Sequence, residues 1–121
     1  MDINFFSEPE MSPRPRDEMA IFSLTADPID ERRVRVTVEV TPFTPQDRPN
    51  VEISAHNAAE QPVGSMSIIE TMHRTFALTL HIREPEPSGV YTLSAELFYE
   101  PGEIQHTLTE TFEIPERGSS G

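Results

Sequence analysis

Ser88-Gly89-Val90-Tyr91-Thr92-Leu93-Ser94-Ala95-Glu96-Leu97-Phe98-Tyr99, followed by Glu100-Pro101-Gly102-Glu103 and then Ile104 to Ile114, is the stretch that decides the fold. Apolar and polar residues alternate on both sides of a Pro-Gly pair. That period of two belongs to a strand with one buried face, and the Pro-Gly pair supplies the turn, so the stretch reads as an antiparallel hairpin. In its first limb Tyr91, Leu93, Ala95, Leu97 and Tyr99 share a face and are assigned to the core. The second limb is irregular: Leu108, Phe112 and Ile114 share their parity with His106 and Glu110. Either a β-bulge resets the register between residues 106 and 112, or Glu110 lies at the rim and reaches water. The bulge is the expected answer, because one extra residue is the ordinary way for a strand to change faces.

The same period recurs upstream. Ala20, Phe22 and Leu24 alternate with Ile21, Ser23 and Thr25 until Asp27-Pro28-Ile29-Asp30 breaks the run. Val34, Val36, Val38 and Val40 then alternate with Arg33, Arg35, Thr37, Glu39 and Thr41, giving a β-branched inner face and a charged outer one. Pro42, Pro45 and Pro49 remove backbone donors and make the next segment a loop. Val51, Ile53 and Ala55 follow, with Glu52, Ser54 and His56 facing out, and a hairpin at Asn57–Gln61 leads back through Pro62-Val63-Gly64 to Met66-Ser67-Ile68. Over residues 65–74 a strand and loop is expected, with a short helix presenting Ile68, Ile69 and Met72 as the alternative. Leu78, Leu80 and Ile82 resume the alternation until Glu84-Pro85-Glu86-Pro87-Ser88-Gly89 ends it. About seven short strands, spaced by turns and with no long amphipathic helix, predict an all-β antiparallel sandwich over residues 19–115. Residues 1–18, broken by Pro9, Pro13 and Pro15, read as a flexible N-terminal arm, and residues 116–121 as a flexible tail.

Composition narrows the function classes. The chain has 121 residues, 21 acidic against 9 basic, a formal net charge of −12 and no cysteine. This length suits one core, which must hold without disulfides or thiolate metal sites. The charge repels a phosphate backbone, so nucleic-acid binding is not expected. Neither a basic n-region with an apolar run nor a segment of membrane-spanning length occurs, which predicts a cytoplasmic location and no membrane insertion unless the chain is a fragment of an exported protein. All nine basic residues are arginine.

At Gly89-Val90-Tyr91-Thr92-Leu93 a tyrosine stands just after the turn into the penultimate strand. It resembles the tyrosine corner of bacterial immunoglobulin-like and fibronectin type III-like sandwich modules, in which the hydroxyl bonds back to the preceding connection. The resemblance implies that role for Tyr91 and an inward position for Leu93. It carries over no catalytic residue, and the inter-sheet cysteine pair and buried tryptophan of antibody domains are absent.

Candidate chemistry is sparse. His56, His73, His81 and His106 fall on separate segments without ligand spacing, so no metal is expected. Asp27, Asp30 and Glu31, and likewise Glu84 and Glu86, read as solvated turn carboxylates that lack a calcium-loop pattern. With no nucleophile elbow and no phosphate-binding glycine loop, no catalytic residue and no cofactor are expected. Two features point to binding instead. Ile3, Phe5 and Phe6 in the arm have the form of a linear motif for a partner's groove or sheet edge. Phe98 falls on the outward parity of the hairpin and is a candidate contact. The expectation is a non-enzymatic interaction or scaffolding module for a protein partner or a second copy, with a carbohydrate- or small-ligand-binding sandwich or a structural spacer as alternatives.

Overall fold

In the computed structural model, which describes residues 12–115, the alternating runs form seven strands. They are β1 (Ile21–Pro28), β2 (Arg33–Val40), β3 (Asn50–His56), β4 (Pro62–Ile68), β5 (Thr75–His81), β6 (Gly89–Phe98) and β7 (Ile104–Ile114). A three-stranded sheet has the order β1-β2-β5, and a four-stranded sheet the order β4-β3-β6-β7. Every pairing is antiparallel. The chain therefore crosses between sheets after β2, β4 and β5, and the two apolar faces close on each other as a sandwich.

The core follows the period of two. Val34, Val36, Val38 and Val40 are fully buried, as are Ile53, Ala55, Tyr91, Leu93, Ala95 and Leu97 from the facing sheet. β2 is the central strand of its sheet, so its valines are covered from both sides and its outer Arg35 sits opposite Asp27. The proline loop after β2 contains a 3-10 turn, Pro45–Asp47, and Pro49 beyond it is buried.

Two strands depart from simple alternation. In β1 the register slips between Ile21 and Ser23, which makes Phe22 the extra residue of a bulge. Ile21 and Leu24 are buried and Phe22 is 58% exposed, so Phe22 does not share the face of Leu24. In β7 no slip occurs between His106 and Ile114; the bulge is at Gln105, where Leu97 pairs with His106 and Phe98 with Ile104. Glu110 stays opposite Leu93 and is nevertheless exposed, because β7 is an edge strand. The rim reading of Glu110 is the correct one. Over residues 65–74 the chain is strand to Ile68 and then turn, with Glu70 at φ 53 and Thr71 buried. No helix forms there.

Of the arm expected over residues 1–18, the first eleven lie outside the described residues. The rest is tied down. The Arg14 N–H donates to the Pro42 carbonyl at 3.0 Å, and Gln105 Nε2 donates to the carbonyls of Arg16 and Met19 at 2.6 and 2.9 Å. The Arg16 guanidinium donates to Asp47 Oδ1 at 2.8 Å and to the Gln46 carbonyl at 3.0 Å, and lies 4.8 Å from the centre of the Tyr99 ring. The Asp47 hydrogen bond raises the Arg16 pKa above its ordinary value. Tyr99 donates to the Asp47 carbonyl at 2.7 Å, so one arginine locks the start of the domain to the proline loop and to the end of β6.

Candidate binding faces

The tyrosine corner is present and has a carboxylate partner. The Tyr91 hydroxyl donates to Glu84 Oε1 at 2.6 Å and accepts from the Ser88 N–H at 3.0 Å. Asn57 Nδ2 donates to the other Glu84 oxygen at 2.6 Å, and the Arg32 guanidinium donates to the carbonyls of Glu84 and Pro85, each at 2.7 Å. Glu84, expected to be a solvated turn residue, is instead the hub that holds the β5–β6 connection. Burial, then the bond to Glu84, pushes the Tyr91 phenol up to about 12. This cluster is structural: each polar atom serves the connection.

Asp30 likewise shapes its own turn. Its Oδ1 accepts the N–H groups of Arg32 and Arg33 at 2.9 and 2.8 Å, and Oδ2 meets the Arg33 guanidinium at 2.9 Å. The Arg32 backbone N–H and then the Arg33 side chain hold its carboxyl below the usual carboxylate range. The histidines are dispersed. His73 and His81 are exposed, His56 is half-buried, and His106 Nδ1 accepts the Ile21 N–H at 3.0 Å, linking the two sheets. Among the described residues no three His, Cys, Asp or Glu side chains come together to hold a metal ion.

What remains is surface. The outer face of the four-stranded sheet carries one cross-strand row of Ser65, Ser54, Ser94 and Thr109 and another of Ser67, Glu52, Glu96 and Thr107. No arginine lies in its four strands. Glu52 and Glu96 are half-buried and directly opposite, a like-charge pair that works against the sheet. Phe98 closes this face at one end, half-buried, with Asn50 opposite it on β3 and Ile104 opposite it on β7. Ile3, Phe5 and Phe6 lie outside the described residues. A second surface, missed in the sequence, is a strip of exposed Met66, Ile69 and Met72 at the end of β4 and just beyond it. A short helix would group Ile68, Ile69 and Met72 on one apolar face; the turn at Glu70 instead leaves Ile68 half-buried and Ile69 and Met72 exposed.

Strand order, register and the tyrosine corner together define an immunoglobulin-like, fibronectin type III-type β-sandwich. Solved structures share it. A β-glucuronidase of Lactobacillus rhamnosus is similar at 20% identity and a TM-score of 0.56, over 80% of this chain and 16% of that one. The β-glucuronidase of Bifidobacterium dentium, complexed with coumarin-3-O-glucuronide, is similar at 18% identity and 0.60, over 79% and 18%. The chicken interferon gamma receptor alpha chain is similar at 13% identity and 0.60, over 79% and 51%. This chain thus spans less than a fifth of the length of those β-glucuronidases. Neither a protein-family model nor a curated protein matches the sequence. No helix among the described residues is long and apolar enough to cross a membrane.

Proposed function

We propose that this chain is a non-enzymatic β-sandwich module that binds a carbohydrate on the outer face of its four-stranded sheet. The observation that carries the reading is that face: rows of hydroxyls and two carboxylates crossing all four strands. Serine and threonine hydroxyls donate and accept, and carboxylates accept, which matches the hydroxyls of a sugar. The likeness to one segment of the β-glucuronidases supports a carbohydrate as the ligand only in the broad sense, since their glucuronides are acidic. Glu52, Glu96 and a formal charge of −12 disfavour a uronic acid, so the ligand is a neutral glycan. A thermal-shift screen with neutral and uronic-acid oligosaccharides tests this. A neutral member should raise the melting temperature, and Glu96→Ala should abolish the rise. If no oligosaccharide stabilises the protein, the reading is wrong.

A protein partner is the second reading, favoured by the exposed apolar residues Ile69 and Met72 and by the apolar contact candidates Ile3, Phe5, Phe6 and Phe98. Deleting residues 1–11, which leaves the Arg16 anchor in place, should then abolish partner capture. Undiminished capture would remove the arm from this reading.

A further inference from the structure

The β3–β4 turn and the segment after β5 meet at one end of the four-stranded sheet, and a short bond fixes them there. Asn57 Nδ2 donates to Glu84 Oε2 at 2.6 Å, while Asn57 Oδ1 accepts the N–H groups of Ala59 and Gln61 at 3.0 and 2.9 Å and so holds the turn. The Arg83 N–H donates to the Val63 carbonyl at 2.7 Å, which ties the same segment to β4. His56 and Arg83 are the chain neighbours of the bonded Asn57 and Glu84, so their backbones are fixed relative to each other. A recess of about 280 Å³ opens at this place. Ser54, His56, Ser65 and Arg83 line it, and no acidic residue does. Pockets for drug-sized ligands begin near about 300 Å³, so this one is sized for a single functional group or a small ring.

Its polar side chains are unanswered. Arg14, Arg16, Arg33 and Arg74 each meet a carboxylate, and Arg32 donates to two carbonyls. Among the described residues the Arg83 guanidinium has no such partner, and both oxygens of neighbouring Glu84 are taken by Tyr91 and Asn57. The side chains of Ser54, His56 and Ser65 likewise make no hydrogen bond among the described residues. A guanidinium fork, an imidazole N–H and two hydroxyls are all donors, and together they call for an acceptor-rich, negatively charged group.

The formal charge of −12 repels any anion at long range, and Glu52 and Glu96 lie on the same sheet face. Distance decides which effect wins locally. Glu52 stands four residues along β3 from His56, about 13 Å at the rise of a strand, and Glu96 lies directly across from Glu52. That separation exceeds the Debye length of about 8 Å at physiological ionic strength, so the two carboxylates are largely screened from the recess. A contact to Arg83 is made at hydrogen-bond distance and is not.

We infer that this recess is a binding site for a tetrahedral oxyanion, a sulfate or phosphate group. Arg83 supplies the bidentate fork, and His56, Ser54 and Ser65 donate to the remaining oxygens. A planar carboxylate has two oxygens, which Arg83 alone would engage; a tetrahedral group presents oxygens in more directions and uses donors from both sides of the recess. Ser54 and Ser65 also belong to the hydroxyl rows proposed to bind a glycan, but the oxyanion site needs no sugar. The group is either a free ion or an ester on a larger molecule.

Nitrogen–proton correlation NMR on the full chain, titrated with sodium sulfate and with sodium phosphate against sodium chloride at matched ionic strength, tests this. Saturable shifts centred on Ser54, His56, Ser65 and Arg83 are expected, with a Kd on the order of millimolar, and sodium chloride should not reproduce them. Arg83→Gln keeps the backbone bond to Val63 and should weaken binding at least tenfold, the loss of one charge-assisted contact. Ser54→Ala should weaken it by a smaller factor, and Arg35→Gln, on the other sheet, should leave it unchanged. A sulfated monosaccharide beside its unsulfated parent separates the two sources: tighter binding than inorganic sulfate, with none by the parent, assigns an ester, and equal binding assigns the free ion. Failure of all three anions to saturate, shifts spread evenly over the surface, or undiminished binding by both Arg83→Gln and Ser54→Ala would overturn the inference. None of these titrations contains a neutral oligosaccharide, so their failure and that of the glycan reading are distinguishable.

Discussion

Replacing Tyr91 by Phe removes one oxygen and leaves the ring in place, stacked on Phe112 with centroids 5.3 Å apart and planes 11° from parallel. The apolar packing is therefore kept and only the hydroxyl's two bonds are lost. The bond to the Glu84 carboxylate is short, 2.6 Å, and hydrogen bonds to charged groups contribute roughly 1.5–3 kcal/mol. The Ser88 N–H loses its acceptor as well, but Ser88 is exposed and water replaces much of that bond. A loss of about 2 kcal/mol is expected, taking the charged bond near the middle of its range. For a domain of this size that lowers the melting temperature by roughly 10 °C and, with a urea slope near 1 kcal/mol/M, the urea midpoint by about 2 M. Equilibrium urea unfolding followed by far-UV circular dichroism measures it. Glu84→Ala should cost at least as much, because Asn57 Nδ2 also loses one of its two acceptors and keeps only Gln61 Oε1. The double variant should be less destabilised than the sum by about 1 kcal/mol, the coupling of two groups in one contact. A Tyr91→Phe cost below about 0.5 kcal/mol, the scatter of ordinary surface changes, would refute the corner as a stabilising device. So would strict additivity with Glu84→Ala.

Alkaline titration should be anomalous. Both tyrosines of the chain have phenols pushed up to about 12, chiefly by burial, from an ordinary 10.0. Their folded values lie above the unfolded ones, so the associated stability is complete below about pH 10 and is lost as pH rises toward 12. Phenolate absorbance should stay flat through pH 10 and rise together with unfolding; a step near 10 that leaves the fold intact would contradict it. Gly64→Ala should destabilise the protein by about 1–3 kcal/mol, the range for overpacking, because its Cβ meets the His81 backbone carbonyl rather than a side chain that can move. An unchanged thermal midpoint would show that β4 can shift away from the His81 carbonyl without cost.

Some of this structure was legible in the chain and some was not, and the division is physical. The alternating valines of β2 and the row Tyr91, Leu93, Ala95 and Leu97 sit inside central strands, where both neighbours are present and parity alone dictates burial. On edge strands parity loses its force. Phe22 and Glu110 both break the simple pattern, one through a bulge and the other through an uncovered rim. The candidate binding faces were legible only in part. The outward parity of Phe98 is correct, but Ile104 opposite it depends on the bulge at Gln105, which no local signal marks.

The strands, the sandwich and the valine and hairpin core were readable from alternation alone, because a period of two is a local property that solvent reads residue by residue. The sequence also marked Tyr91 as a corner. That Glu84 answers it, that Arg16 ties down the domain's start, and that Met66, Ile69 and Met72 stay exposed emerged only from the assembled fold. Those outcomes depend on residues far apart in the chain and on which strands lack a neighbour, and alternation along one strand carries no record of either.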